Sequence, residues 1–262
     1  MPLQVQSPIP TFFDPARVGD AWRVPYQERA QQAREWAKTH GITPARQDQR
    51  RICLLAIDVQ NTFCLPDFEL FVGGRSGMGA VEDTTRLCEF VYRHLGQITE
   101  IVATLDTHTA AQIFHPTFWR DENGQPPAPM TLIELAAVTS GRWQPNPSLA
   151  EDLGLSEAEL SAYAQHYASR LSQDGKYPLT VWPYHSMLGG IGHALVPAFE
   201  EACFFHNIAR QRQTRFEVKG GNPLTENYSV LRPEVLEDPT GATIAQKNQS
   251  LIHHLLTFDA VI

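Results

Sequence analysis

An unbroken apolar run of strand length opens the body of the chain. Ile52–Val59 (ICLLAIDV) is apolar except for Asp58, as is typical of a central parallel strand that is buried on both faces. A helical pattern over Val81–Leu95 follows it, and then a second β-branched run, Ile98–Leu105 (ITEIVATL). Strand, helix and strand of these lengths form a βαβ unit, whose right-handed crossover favours a parallel sheet. This order of elements predicts an α/β fold.

Further elements extend this pattern towards the C-terminus. Ser156 and Glu159 form a capping box, which predicts the start of a helix. In chain order, the further elements are predicted helices at Ser156–Gln173, Ala194–Arg210 and Thr243–Thr257, and predicted strands at Phe216–Lys219 and Asp259–Ile262. Helices on both faces of a parallel sheet give a three-layer α/β/α sandwich, which is the architecture that we expect.

The chain divides into an N-terminal arm and a body. Within residues 1–50, five prolines precede a polar helix predicted at Tyr26–His40, and we expect this arm to pack on the body or on a neighbouring subunit. Residues 51–262 are predicted to form one domain, since this length suffices to bury one α/β core. The apolar periodicity is interrupted at about residues 120–179, which predicts an insertion near one end of the sheet.

Composition limits the class of partner. With 21 basic and 29 acidic residues, the chain carries a formal charge of −8, which argues against a nucleic-acid-binding protein. No apolar run approaches the roughly 18–20 residues of a membrane span. The four cysteines show no CxxC spacing and are predicted to be buried free thiols of a reducing compartment. We expect a soluble cytoplasmic protein, with a homo-oligomer as an open alternative because sheet edges and the arm could pair with a second copy.

Polar residues follow the predicted strands at their carboxyl ends, where ligands bind in open α/β sheets. These residues are Asp58, Asp106 with His108, and Lys219. In extended backbone, Asp106 and His108 point the same way, so that with a third ligand they would suit zinc, iron or manganese. The candidates for that third ligand are His115 and His185. A strand-end Asp can equally be a turn former or a helix cap, and that alternative stays open.

Five segments occur in an order that is known from one family of enzymes. They are Leu54–Cys64 (LLAIDVQNTFC), Leu70–Gly74 (LFVGG), Val102–His108 (VATLDTH), Trp182–Ser186 (WPYHS), and Val218–Gly220 (VKG) followed by Asn227–Ser229 (NYS). Together they resemble the nicotinamidase/isochorismatase-like cysteine hydrolases, and most closely the nicotinamidase branch. The resemblance runs from Arg51 to the end outside the insertion. Thr62, Thr107, Ser186 and Asn227 depart from the family pattern.

The resemblance implies a fold, a reaction and roles for named residues. The implied fold is that of the isochorismatase-like hydrolases, and the implied reaction converts a small carboxamide to its acid and ammonia through a thioester. Asp58 would be the general base and Lys219 the cationic partner of a Cys–Asp–Lys triad. Asp106, His108 and His185 would form a metal site, with zinc as the first choice. The substrate pocket would be lined by Phe63, Trp182 and Tyr228.

The nucleophilic Cys of the family follows a strand that would begin here at Asp259, so it is expected beyond Ile262. None of the four cysteines present occupies that position, and Cys64 is interpreted as a packing residue. Three explanations stay open: the sequence is part of a longer hydrolase, it is a non-catalytic metal- or ligand-binding homologue, or another segment or chain completes the sheet. An isochorismatase-like hydrolase of another small substrate is the alternative within the family.

Overall fold

A computed structural model describes residues 7–262, so the first six residues of the predicted arm lie outside the described part. The helices in this part are α1 Tyr26–Thr39, α2 Asn61–Cys64, α3 Gly79–Arg93, α4 Leu135–Thr139, α5 Glu157–Gln173, α6 Pro197–Arg210 and α7 Gln249–Leu255. The strands are β1 Ile52–Ala56, β2 Glu100–Asp106, β3 Trp119–Arg120, β4 Leu132–Ile133, β5 Gln144–Pro145, β6 Leu179–Thr180, β7 Arg215–Lys219 and β8 Ala260–Val261.

Four strands form the main sheet, in the order β7-β2-β1-β8. Strand β1 pairs in parallel with β2, with Leu54 opposite Ile101, and it pairs in parallel with β8 on its other side. The helix α3 provides the crossover from β1 to β2, as the βαβ pattern predicts. The prediction of an α/β fold on a mainly parallel sheet is confirmed.

The chain forms two compact units. The first contains the residues up to Asp106 together with 189–217 and 250–262. Its core joins β1, β2, α3 and α6 to the N-terminal arm, where the ring of Phe12 meets those of Tyr92 and Phe205 at centroid distances of 5.9 and 5.4 Å. Within this unit, the arm therefore packs on the body.

The second unit contains residues 107–188 and 218–249. It has a separate apolar core. Aromatic side chains are almost fully buried in it, among them those of Trp119, Tyr163 and Tyr167. The unit also contains two small antiparallel sheets, formed by β3 with β5 and by β4 with β6. The domain boundaries expected at residues 50, 120 and 179 stay predictions.

Three predicted elements differ from the structure. Strand β1 ends at Ala56 rather than Val59, because Asp58 adopts a left-handed backbone (φ 53°) that interrupts extended structure. The helix expected from Thr243 begins only at Gln249. The segment before it is held in turns, since the amides of Thr240 and Ala242 donate to the Asp238 carboxylate. The predicted insertion at about residues 120–179 contains short strands that the sequence does not indicate, among them the two residues of β5.

The predicted capping box is confirmed, and three of the four cysteines are buried as expected. The capping box before α5 is present in both directions: the Glu159 amide donates to Ser156 Oγ at 3.2 Å and the Ser156 amide donates to Glu159 Oε2 at 2.8 Å. All four cysteines are free, and Cys53, Cys88 and Cys203 are buried. Across residues 7–262, no helix is long and apolar enough to cross a membrane.

Candidate metal and substrate site

The carboxyl end of β2 is held by a buried amide side chain. Gln60 is fully buried; its Oε1 accepts from the Asp106 amide at 2.7 Å, and its Nε2 donates to the Asp106 carbonyl at 2.8 Å. The same Nε2 donates to the His193 carbonyl at 2.9 Å. Because both backbone groups of Asp106 are fixed in this way, its carboxylate leaves the strand from a rigid position.

Two histidines lie together beyond this strand end. The rings of His108 and His185 meet edge to face with centroids 4.6 Å apart, and both side chains are buried. The backbone supports this arrangement, because the His108 amide donates to the Ser186 carbonyl at 3.0 Å and the Leu188 amide donates to the His108 carbonyl at 2.9 Å. The segment that carries His185 therefore runs beside the one that carries His108.

Asp106, His108 and His185 form a buried group that could hold a metal ion. Each offers one ligand atom, and these atoms all lie within 4.8 Å of one another. Asp106 and His108 project from one extended segment two residues apart, as the sequence predicts. One carboxylate and two imidazoles are a donor set typical of zinc and of iron(II). Of the two candidates for the third ligand, the structure groups His185 with the pair.

The orientation of both rings fits metal binding. His108 Nδ1 donates to the Gly220 carbonyl at 3.2 Å, and His185 Nδ1 donates to the Pro183 carbonyl at 2.7 Å. A carbonyl only accepts hydrogen bonds, so each Nδ1 carries a proton, and Nε2 is the atom of each ring that could bind a metal. Second-sphere contacts of this kind orient histidine ligands in metalloproteins.

His115, the other candidate ligand, lies beside the group. Its ring centroid is 5.7 Å from that of His108 and 5.9 Å from that of His185. Burial first, and then these two histidines, lower the pKa of His115 to about 4, which keeps its ring neutral. Within residues 7–262, His115 Nε2 and Ser186 Oγ are buried and lack a hydrogen-bond partner. Unsatisfied polar atoms next to a carboxylate–imidazole group fit a site built for an ion and its waters.

The two predicted residues on the first unit lie near the end of β1. Asp58 lies two residues beyond the end of this strand, and its left-handed backbone turns the chain towards α2. The Asp58 amide donates to Thr104 Oγ1 at 2.9 Å, and that hydroxyl donates to Asp58 Oδ1 at 2.5 Å. Phe63 is a partly buried residue of α2. The Thr104 hydroxyl thus fixes the carboxylate in one orientation.

Lys219, on the second unit, is the last residue of β7 and is 8% exposed. Its Nζ donates to the Asn227 carbonyl at 3.2 Å, and its own carbonyl accepts from the Thr107 amide at 2.9 Å. A lysine is rarely buried to this extent without polar contacts. The roles of Asp58 and Lys219 as a catalytic pair stay a prediction.

The predicted pocket residues Trp182 and Tyr228 lie around a carboxylate that the sequence analysis did not single out. Trp182 Nε1 donates to Glu226 Oε1 at 2.9 Å, and Tyr228 lies close enough that, after burial, the charge of Glu226 raises the pKa of its phenol. Glu226 directly precedes Asn227, the residue that was matched to the family's acidic position. The position of Glu226 beside the last motif could have marked it as a site residue. The position of Gln60 inside the first motif could have done the same for Gln60.

None of the four cysteines has the environment of an activated thiol. Burial raises the pKa of Cys53 to about 12 and that of Cys64 to about 11. It also raises the pKa values of Cys88 and Cys203. A raised pKa lowers the thiolate fraction that a nucleophile needs. These side chains therefore act as packing residues, as expected for Cys64.

Comparison with known proteins finds similarity to three solved structures of nicotinamidases. The yeast nicotinamidase Pnc1p bound to the inhibitor nicotinaldehyde is 15% identical, with a TM-score of 0.44 over 80% of this chain and 72% of that one. A nicotinamidase/pyrazinamidase of Acinetobacter baumannii is 18% identical, with a TM-score of 0.44 over 82% of this chain and 70% of that one. A second Pnc1p structure is 16% identical, with a TM-score of 0.43 over 78% and 70%. No protein-family model matches the sequence, and neither does any curated protein.

Proposed function

We propose that the protein is a metal-assisted cysteine amidohydrolase of the nicotinamidase type, which hydrolyses a small carboxamide to the acid and ammonia. The observation that carries the proposal is the buried group of Asp106, His108 and His185, whose histidine tautomers suit a divalent ion, with zinc as the first choice. A bound ion would supply a Lewis-acidic anchor for a donor atom of the substrate. The order of the five sequence motifs supports the same reading.

The proposed chemistry assigns acid–base work to the chain's own residues. Asp58, oriented by Thr104, would take the proton from the attacking thiol and return it to the departing ammonia. The cationic Lys219 would favour the thiolate. Attack of sulfur on the carbonyl carbon breaks the C–N bond and forms a thioester, which water then hydrolyses.

Two alternatives predict different measurements. An isochorismatase-like hydrolase would act on another small substrate and release no ammonia from nicotinamide. A non-catalytic homologue would bind a metal or ligand without turnover. The buried donor group is compatible with both. The buried Lys219 favours an enzyme, because a buried charged group is costly to retain without a role.

Metal analysis together with an ammonia-release assay tests the proposal. We expect a near-stoichiometric bound metal by elemental mass spectrometry, and its loss in Asp106→Ala and His185→Ala. His253→Ala is the matched control, because His253 is exposed on α7. Ammonia release from nicotinamide and from aliphatic amides would be measured with the 262-residue chain and with a chain extended past Ile262.

The outcomes separate the amidohydrolase from the two alternatives. Metal in the wild type, its loss in both variants and ammonia release by the extended chain would support the amidohydrolase. Bound metal with no turnover of any amide by either chain would contradict the amidohydrolase and favour the two alternatives. A wild-type protein without metal would contradict metal assistance.

A further inference from the structure

A buried carboxylate lies against a proposed wall of the substrate pocket. Glu226 is 7% exposed, and its Oε1 accepts from the indole N–H of Trp182 at 2.9 Å. The two residues are 44 positions apart in the sequence. An indole has a single polar hydrogen, so a fixed acceptor at this atom also fixes the plane of the ring. A hydrogen bond to a charged acceptor is about twice as strong as one to a neutral group.

The backbone around Glu226 is held by the second unit. The Glu226 amide donates to the Tyr167 hydroxyl at 3.3 Å, and its carbonyl accepts from the Glu234 amide at 2.8 Å. One turn earlier on α5, the Tyr163 hydroxyl donates to the Leu224 carbonyl at 2.7 Å. The predicted insertion, which contains α5, therefore anchors the loop that carries the carboxylate.

Trp182 is fixed at its backbone as well. Its amide donates to the Phe114 carbonyl at 2.8 Å, and Phe114 packs its ring against His108 with centroids 4.7 Å apart. Tyr228 lies beside the pair of Trp182 and Glu226, since partial burial and then the charge of Glu226 raise the pKa of its phenol.

We propose that Glu226 is a positioning residue that fixes the indole ring of Trp182 for an aromatic amide substrate. This inference rests on the proposed function and deepens it, since it adds a residue that sets the orientation of a proposed pocket wall. A ring stacked on an indole gains most when the two planes are aligned, and alignment by a buried hydrogen bond avoids an ordering cost at the moment of binding.

The test combines a spectrum with a binding measurement. The five tryptophans give five indole N–H signals in a ¹H–¹⁵N spectrum, and the Trp182 signal is the one that Trp182→Phe removes. We expect Glu226→Ala to shift that signal and to weaken the affinity for nicotinamide, measured by calorimetry, by about tenfold. Glu226→Gln, which keeps an acceptor oxygen, should have a smaller effect. Glu237→Ala, which removes an exposed carboxylate nearby, should leave both readouts unchanged.

A double-mutant cycle separates positioning from a general structural effect. In a Trp182→Phe background, Glu226→Ala should weaken nicotinamide binding by no more than about twofold, because the donor that it orients has gone. An undiminished effect in that background, or a Trp182 signal that does not move in Glu226→Ala, would overturn the inference. If the wild type binds no nicotinamide, the proposed function fails and the substrate role of Glu226 fails with it, while the spectrum still decides whether the contact exists.

Discussion

The side chain of Gln60 shows how much of the site depends on single hydrogen-bonding groups. It hydrogen-bonds to the backbone amide and to the carbonyl of Asp106, 46 positions away in the sequence. Both bonds form where the Gln60 side chain has no access to water. The sequence marks Gln60 only as a member of the first motif. Its geometry shows why an amide suits this position: only Asn and Gln offer an acceptor and two donor hydrogens on one planar group.

We predict that Gln60→Ala lowers both stability and metal affinity. The change leaves the Asp106 amide and the carbonyls of Asp106 and His193 without this partner, which should lower the free energy of unfolding by about 2–4 kcal/mol. Loosening the carboxylate should weaken metal binding about tenfold or more. Urea denaturation and metal titration measure the two effects.

Gln125→Ala is the control for that prediction, because Gln125 is exposed in a loop and its side chain should contribute little. A Gln60→Ala protein with wild-type stability and wild-type metal affinity would show that the contacts with Asp106 are dispensable.

At the scale of elements, α5 combines a strong local signal with a tertiary role. Its capping box can be recognised in the sequence and is present in the structure. The Ser156 hydroxyl and amide bond to the Glu159 carboxylate and lower its pKa, as expected when hydrogen bonds favour the charged form. The tyrosines on its buried face hold the loop that carries Glu226. Local propensity therefore forms the helix, and packing gives it a place in the site.

We predict that Ser156→Ala lowers the free energy of unfolding by about 1 kcal/mol, because it removes the side-chain acceptor for the Glu159 amide at the start of α5. Thermal and urea denaturation measure the change. Ser172→Ala, at an exposed position in the last turn of the same helix, should be neutral or slightly stabilising, since alanine has the higher helix propensity. Equal effects of the two substitutions would argue against a contribution from the cap.

At the scale of the whole molecule, buried histidines make folding sensitive to acid. His206 on α6 is fully buried and donates from Nε2 to the Ile98 carbonyl at 3.0 Å. Burial lowers its pKa to about 4, whereas the unfolded chain has a value near 6.5. Between these values the unfolded state binds a proton that the folded state does not, so the free energy of unfolding falls as the pH falls.

We predict that His206→Gln, which keeps a donor for the Ile98 carbonyl, loses less stability than the wild type between pH 7 and pH 4.5. The difference should be about 2 kcal/mol at pH 4.5, from the shift in pKa. Chemical denaturation at the two pH values measures it. His253→Gln, at an exposed position, should follow the wild type, and a His206→Gln protein that did the same would contradict this assignment.

The sequence alone determined those features that depend on neighbours along the chain. The apolar run of β1, the crossover to β2, the capping box of α5 and the convergence of Asp106 with His108 all follow from contacts a few residues apart or from strand alternation. Where a local pattern failed, as before α7, competing turns around Asp238 used the backbone groups that a helix would have needed.

Only the tertiary structure decided which distant residues meet. It grouped His185 rather than His115 with Asp106 and His108, fixed Asp106 through Gln60, and brought the Glu226 carboxylate to the Trp182 indole. No periodicity encodes such contacts, because they depend on the path of the whole chain and on which buried polar group can satisfy which other. Local sequence thus determined the elements and the chemistry they carry, while long-range packing determined the partner of each functional side chain.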